Sequence, residues 1–256
     1  MTSRIGEMVK RAVVLAAALA VFAPGEVVLA QGGDGFLFKK PRVTFKLETG
    51  YGFQRSSSDV YDFLVNELTL DRRDFDAPYV GGEIAVRVNE RLDVTLGIGY
   101  QSTTHGSRFE TLFEPINGVD VPITQTTEFS LVPATVGLRV YPFDRGRSIG
   151  RFAWIPRSVT PFVGGSVGGL AYDLRQYGDF VDFETLEIFT DDFHSSGSGF
   201  MARASAGVNV SLGQQFFFSL EGRYGWATAD LEGDFVGFAP IDLDGAQLVG
   251  GIAVRF

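Results

Sequence analysis

Between Gly245 and Phe256, alternate residues fall into two sets. Ala246, Leu248, Gly250, Ile252, Val254 and Phe256 are apolar or small, whereas Gly245, Gln247, Val249, Gly251, Ala253 and Arg255 mix small and polar side chains. Successive side chains of a strand point to opposite faces, so this segment predicts a strand with one apolar face and one mixed face. Seven earlier segments repeat the period: Val43 to Phe53, Val80 to Val88, Leu92 to Gln101, Phe129 to Tyr141, Thr160 to Tyr172, Phe200 to Ser211 and Phe216 to Ala227. In the first, Val43, Phe45, Leu47, Tyr51 and Phe53 oppose Thr44, Lys46, Glu48 and Gly52. The fifth is Gly-rich and leaves its facing open, with Val163 and Val167 on one face and Phe162 and Leu170 on the other. Eight strands are expected.

The links between these strands alternate in length. Asn89-Glu90-Arg91 and Gly213-Gln214-Gln215 are tight, while the links after the first, third, fifth and seventh strands are long. A long link from Pro142 to Arg157 departs from this rule; it carries Arg145, Arg147, Arg151 and Arg157 beside Phe152 and Trp154, a composition suited to a membrane surface or equally to an ordinary solvated turn.

Composition narrows the solvent. Gly 32 and Phe 24 in 256 residues are high for a globular chain, and the Phe content suits the aromatic girdles of a membrane barrel. With no cysteine there is neither a disulfide framework nor a thiolate metal site, and no cofactor is expected. A net charge of −9 argues against nucleic acid as a partner. Arg4, Lys10 and Arg11 before the apolar run Ala12 to Ala23, then Val28-Leu29-Ala30, have the layout of a signal peptide over residues 1–30. Residues 31–256 then form the mature domain. No other stretch is apolar and long enough for a transmembrane helix, so a membrane crossing must use strands. The fold class expected is all-β: a transmembrane antiparallel up-and-down β-barrel of eight strands.

An eight-stranded barrel is narrow enough for side chains to fill it. The residues assigned inward include Lys46, Glu48, Glu83, Arg87, Asp93, Arg139, Arg203, Glu221, Arg223 and Arg255. Isolated charges there would be costly, so Glu83 and Glu221 are expected to accept hydrogen bonds from Arg139, Arg203 and Arg223 in a network that closes the lumen.

Strand count, loop asymmetry, inward charges and a terminal aromatic at Phe256 together resemble the small eight-stranded bacterial outer-membrane barrels typified by the OmpA membrane domain, OmpX and OmpW. The resemblance implies residence in the bacterial outer membrane, contact with its lipid and lipopolysaccharide, and a monomer. It also implies that Phe256 belongs to the signal read by the barrel assembly machinery. With the chain ending at Phe256, no peptidoglycan-binding domain is expected after the barrel. This fold hosts many activities, so the loops must supply the function. Loop one holds Asp59, Asp62, Glu67, Asp71, Asp74 and Asp76; loop three holds Asp173, Asp179, Asp182, Glu184, Glu187, Asp191 and Asp192; loop four adds Asp230, Glu232 and Asp234. Their spacing is not that of a calcium loop, and no metal site is assigned.

The expectation is a non-enzymatic barrel that contributes to envelope integrity or surface interaction through these acidic loops. The alternative is an OmpW-like narrow channel for small solutes, which would need an apolar lumen or a lateral opening. Two short motifs point to enzymes instead. His105 and Ser107, with Glu110 nearby, resemble the motif of the lipid A 3-O-deacylases, although the flanking asparagine is missing. Asp192-Phe193-His194 with Asp74-Phe75-Asp76 resembles elements of the omptin proteases, which are ten-stranded.

Overall fold

The two-residue alternation becomes a ring. A computed structural model describes Leu37, residues 40–150 and residues 153–256; the segment read as a signal peptide lies outside the described residues, as do Arg151 and Phe152. The strands are β1 (Val43–Gln54), β2 (Ala77–Asn89), β3 (Leu92–Ile116), β4 (Val119–Val140), β5 (Gly146–Ile149), β6 (Ala153–Pro156), β7 (Val159–Val181), β8 (Ile188–Ser211), β9 (Phe216–Ala229), β10 (Ile241–Asp242) and β11 (Gly245–Arg255). Eight of these, β1, β2, β3, β4, β7, β8, β9 and β11, pair antiparallel in sequence order, and the β1–β11 ladder closes the circle. β5 and β6 form a separate hairpin, and β10 adds two residues beside β9.

The outer wall is apolar. Leu47, Ile84, Leu96, Leu138, Val167, Leu220 and Ile252 all face outward and are exposed. The fifth predicted strand is now resolved, with Val163 and Val167 outward and Phe162 and Leu170 buried in the lumen. Aromatic side chains bound this belt at both ends. Tyr51, Phe53, Phe200, Tyr224 and Trp226 ring the loop end, and Phe45, Phe216 and Phe256 the end that carries the tight turns. Phe256 is exposed on the wall, edge-on to Phe45 at 5.9 Å, and its carbonyl accepts the backbone N–H of Arg42 and of Val43. A ring of eight antiparallel strands with an apolar belt outside and charges inside is the architecture of the small outer-membrane β-barrels.

Two long links are not loops. β3, β4, β7 and β8 contain 25, 22, 23 and 24 residues, against 12 in β1 and 11 in β11. A strand needs about 9–11 residues to cross a bilayer, so each long strand runs about a dozen residues past the belt, roughly 40 Å along its length. β3 and β4 are joined by Asn117-Gly118, both with positive φ (52° and 79°), the geometry of a two-residue hairpin turn that glycine and asparagine tolerate. β7 and β8 are joined by 182–187, where Asp182 accepts the backbone N–H groups of Glu184 and Thr185. Among the long links read from the sequence, those after β1 and β9 do remain largely outside the sheet, and the first of them contains a helix, α1 (Asp59–Glu67).

Candidate functional site

The lumen is the one place where charged side chains are buried in number, and it is filled in three tiers. In the middle tier, Lys46 and Glu83 stand opposite each other on the β1–β2 ladder, which brings Lys46 Nζ within 3.3 Å of Glu83 Oε1. Lys46 also lies 2.9 Å from Glu48 and 3.0 Å from Glu221. Arg139 grips Glu83 with both terminal nitrogens, at 2.8 and 2.9 Å, and donates to Glu221 at 3.3 Å. Arg223 donates two bonds of 2.7 Å to Glu48 and one of 3.0 Å from Nε to Glu221. Three carboxylates thus meet three cations. This neutrality offsets the desolvation that buried ions otherwise suffer. The Tyr79 hydroxyl donates to Glu48 at 3.0 Å, and its ring lies across Gly81 and Gly99, where any Cβ would collide with it.

Arg203 departs from the expectation. It was assigned to this network, yet among the described residues it has no carboxylate partner, and its Nη2 lies 3.6 Å from the Met201 sulfur. Register explains why: Arg203 pairs with Gly225 on one side and Ser166 on the other, so no acidic side chain stands next to it. Lys46 and Glu48, inward by pattern but not placed in the network, are two of its six members.

The turn-end tier corrects a second reading. The link from Pro142 to Arg157 does not lie along a membrane surface through Arg145 and Trp154; both are buried under the barrel mouth. Arg145 Nη1 donates to both oxygens of Asp93 at 2.8 and 2.7 Å, and its other nitrogens reach the backbone oxygens of Glu90 and Asn89. Tyr141 adds a hydrogen bond to Asp93 at 3.1 Å. Trp154 is 1% exposed, pairs with Leu37 in a β-bridge and receives the guanidinium groups of Arg87 and Arg255 over its ring at 5.3 and 5.7 Å.

The outer tier is apolar, unlike the charged residues that the sequence assigned inward along the lower part of the strands. Phe129, Leu131, Leu170, Leu174 and Met201 line it, and Val60, Tyr61 and Leu64 of α1 plug it from the loop end. Tyr61, Phe75 and Phe129 stack edge to face at 4.7–6.3 Å. Several loop-one carboxylates make hydrogen bonds or ion pairs in and around this plug. Asp59 accepts the Ala239 N–H at 2.9 Å, Asp62 pairs with Arg72, Asp76 accepts the Gln54 N–H at 2.8 Å, and Asp74 accepts the Asp71 N–H at 2.8 Å. Among the described residues, cavities of about 20–30 Å³ lie in the lumen, each the size of a water or two. Side chains of α1, of the middle network and of the turn-end tier thus fill the lumen at three successive levels.

His105, Ser107 and Glu110 lie on β3 and Asp192-Phe193-His194 on β8, whereas Asp74-Phe75-Asp76 stays in the link after β1, where Asp74 and Phe75 end a short 3-10 turn. His105 and Ser107 share the inner face of β3, whereas Glu110 is on the opposite face, so the three do not converge. The Ser107 hydroxyl is buried and points to the Gln125 carbonyl at 3.5 Å, and His105 Nδ1 is 3.8 Å from Asp74. His194 Nε2 lies 3.1 Å from Asp173, while Asp192 is engaged by Arg175 through two bonds of 2.7 and 2.6 Å. Those bonds hold the Asp192 carboxyl below the ordinary aspartate range. Among the described residues no group of His, Asp and Glu has the arrangement of a metal site.

No protein-family model matches the sequence, and no curated protein does. Among solved structures, the chain is similar to the outer-membrane protein OprG from Pseudomonas aeruginosa, at 14% identity over 86% of this chain and 99% of that one, with a TM-score of 0.43. It is also similar to Neisserial surface protein A, at 12% identity over 88% of this chain and 100% of that one, TM-score 0.41. A third is outer-membrane protein W of Escherichia coli, at 13% identity over 86% of this chain and 100% of that one, TM-score 0.40.

Proposed function

We propose that this protein is a closed outer-membrane anchor that presents two rigid β-hairpins and an acidic rim outside the cell. One observation carries the reading: the lumen is blocked at three levels while β3, β4, β7 and β8 continue far past the belt. A pore would have no use for the plug, and a purely structural barrel would have no use for hairpins of this length.

The outer surface has two kinds of chemistry. Glu110, Asp120, Asp182, Glu184, Asp191 and Asp234 are exposed carboxylates, while Phe113, Val119, Phe183 and Leu186 are exposed apolar side chains near the hairpin tips. Carboxylates of this kind suit divalent-cation bridges to lipopolysaccharide phosphates or contact with a basic partner. The role is non-enzymatic, and envelope integrity or surface interaction follows from the hairpins. The chain acts as a monomer, is inserted by the barrel assembly machinery with Phe256 as part of its signal, and uses no cofactor.

Planar-bilayer recording of the folded protein tests the closed lumen: no long-lived open state is expected, and a large, stable conductance would overturn the reading. Cosedimentation with lipopolysaccharide vesicles, with and without Mg²⁺, tests the surface role. Binding should need the cation and disappear when both hairpins are shortened to the rim of the belt. The rival reading, a conduit for small apolar solutes, has the apolar outer tier in its favour. α1 occupies that tier, so a variant lacking residues 58–75 should admit such solutes only if the rival is correct.

A further inference from the structure

The charge count of the lumen is uneven, and apart from Arg203 the excess among the described residues lies at the turn end. The middle network balances three against three, but the turn-end tier sets Arg87, Arg145 and Arg255 against Asp93 alone, and Asp93 is fully taken by Arg145 and Tyr141. Arg87 and Arg255 therefore have no carboxylate partner among the described residues. Their charges are not simply solvated. Nε and Nη1 of Arg87 and Nε of Arg255 are buried without an acceptor, and Arg255 as a whole is 8% exposed. Among the described residues Arg255 has one side-chain hydrogen-bond acceptor, the Ser211 hydroxyl at 2.9 Å; its guanidinium also lies over the Phe217 ring at 4.8 Å, and Arg87 and Arg255 both lie over Trp154. Aromatic faces stabilise a guanidinium, but they accept no in-plane N–H bond.

These two residues line one cavity of about 30 Å³, together with Thr160, Asn209 and Ser211; Asp93 lines it too, its carboxylate already taken by Arg145, which stands beside it in the same wall. Exposed Arg42 lines it as well, which gives an anion a charged approach from the turn end. Buried cations without counter-ions are strongly disfavoured, and guanidinium N–H groups make their strongest bonds to anions. We infer that this cavity is a binding site for one small inorganic anion of halide size, held between Arg87 and Arg255, whose guanidiniums lie over the Trp154 ring. The bound anion would halve the excess charge and lock the β5–β6 hairpin against the barrel mouth. The inference stands apart from the proposed surface role, since it concerns the opposite end of the barrel.

The chain has two tryptophans, and the other, Trp226, is exposed on the outer wall. Trp226→Phe therefore leaves Trp154 as the only indole reporter, and bromide, a heavy-atom quencher, is the probe. In folded full-length protein at constant ionic strength, bromide should quench Trp154 saturably and chloride should reverse the effect. Arg87→Gln or Arg255→Gln should raise the half-saturating bromide concentration by about tenfold or more, as expected when a charged hydrogen-bond donor is lost. Should either glutamine variant fail to fold, Arg87→Lys, which keeps the charge and loses the fork, takes its place. Crystals grown in bromide should show an anomalous peak between the two guanidiniums. Quenching that never saturates, or that is unchanged in the variants, would overturn the site, as would the absence of the peak.

Discussion

Arg145 and Asp93 are joined across the mouth of the barrel by two hydrogen bonds of 2.7–2.8 Å, although Asp93 has arginines beside it on both neighbouring strands. Arg87 and Arg139 are its ladder partners, and neither receives its carboxylate. The aspartate is spent on a residue that arrives from outside the ring, which fastens the β5–β6 hairpin to the sheet.

Arg145→Ala should therefore free the hairpin. Removing one partner of a buried pair typically costs about 3–5 kcal/mol because the other charge stays buried. Urea unfolding in detergent micelles should show a loss of that order. A double-mutant cycle with Asp93→Asn should return a coupling of about 1–3 kcal/mol, and limited proteolysis should cut the freed hairpin in the single mutant.

Glu221 and Arg203 make an internal comparison. Glu221 accepts from Lys46, Arg139 and Arg223, so Glu221→Gln leaves three cations sharing two carboxylates and should cost about 3–5 kcal/mol. Arg203 has no acidic partner, so Arg203→Met should change stability by less than about 1.5 kcal/mol. Equal losses for the two variants would show that Arg203 belongs to the network after all.

The α1 plug has its own energetics. Leu64 is 1% exposed against the apolar outer tier, and Leu64→Ala should cost about 2–5 kcal/mol. The loss should be local: hydrogen exchange should rise in residues 58–76 while the barrel ladders stay protected. Conductance should remain low, because the middle network and the turn-end tier still obstruct the lumen.

Asp192 gives a pH dependence. Its folded carboxyl is held below the ordinary value of 3.8, first by the hydrogen bonds from Arg175. The contribution is therefore complete above about pH 3.8 and disappears as pH falls through the lower folded value. Amide exchange in the outer halves of β7 and β8 should accelerate in that acid window. Asp192→Asn should remove the pH step and leave the hairpin loose at neutral pH.

The barrel was legible because lipid imposes a two-sided rule on every crossing strand, and that rule shows in Leu47 and Glu48 or in Leu220 and Glu221 without any knowledge of the neighbours. Past the belt the outward face meets water instead of lipid, the apolar outer half of the alternation fades, and the outer parts of β3 and β7 read as loops although their inner face stays buried. Asn117-Gly118 carried a hairpin signal that could have extended β3 and β4. The apolar positions Val60, Tyr61, Leu64 and Leu68, at helical spacing, marked the plug in the same way. Other features were out of reach. Arg145 finds its partner 52 residues away, and only the folded register shows that Arg203 faces Gly225 and Ser166 instead of a carboxylate.

Because the circle is completed where β1 meets β11, every intermediate along the chain carries two raw sheet edges. A product truncated ahead of Gly245 would expose the unpaired amides of β1 and β9 to hydrocarbon, which no partial set of strands can remedy. Insertion is thus an all-or-nothing event timed by the closing strand, and a defect there should be felt as failure to enter the membrane rather than as a weakened barrel within it.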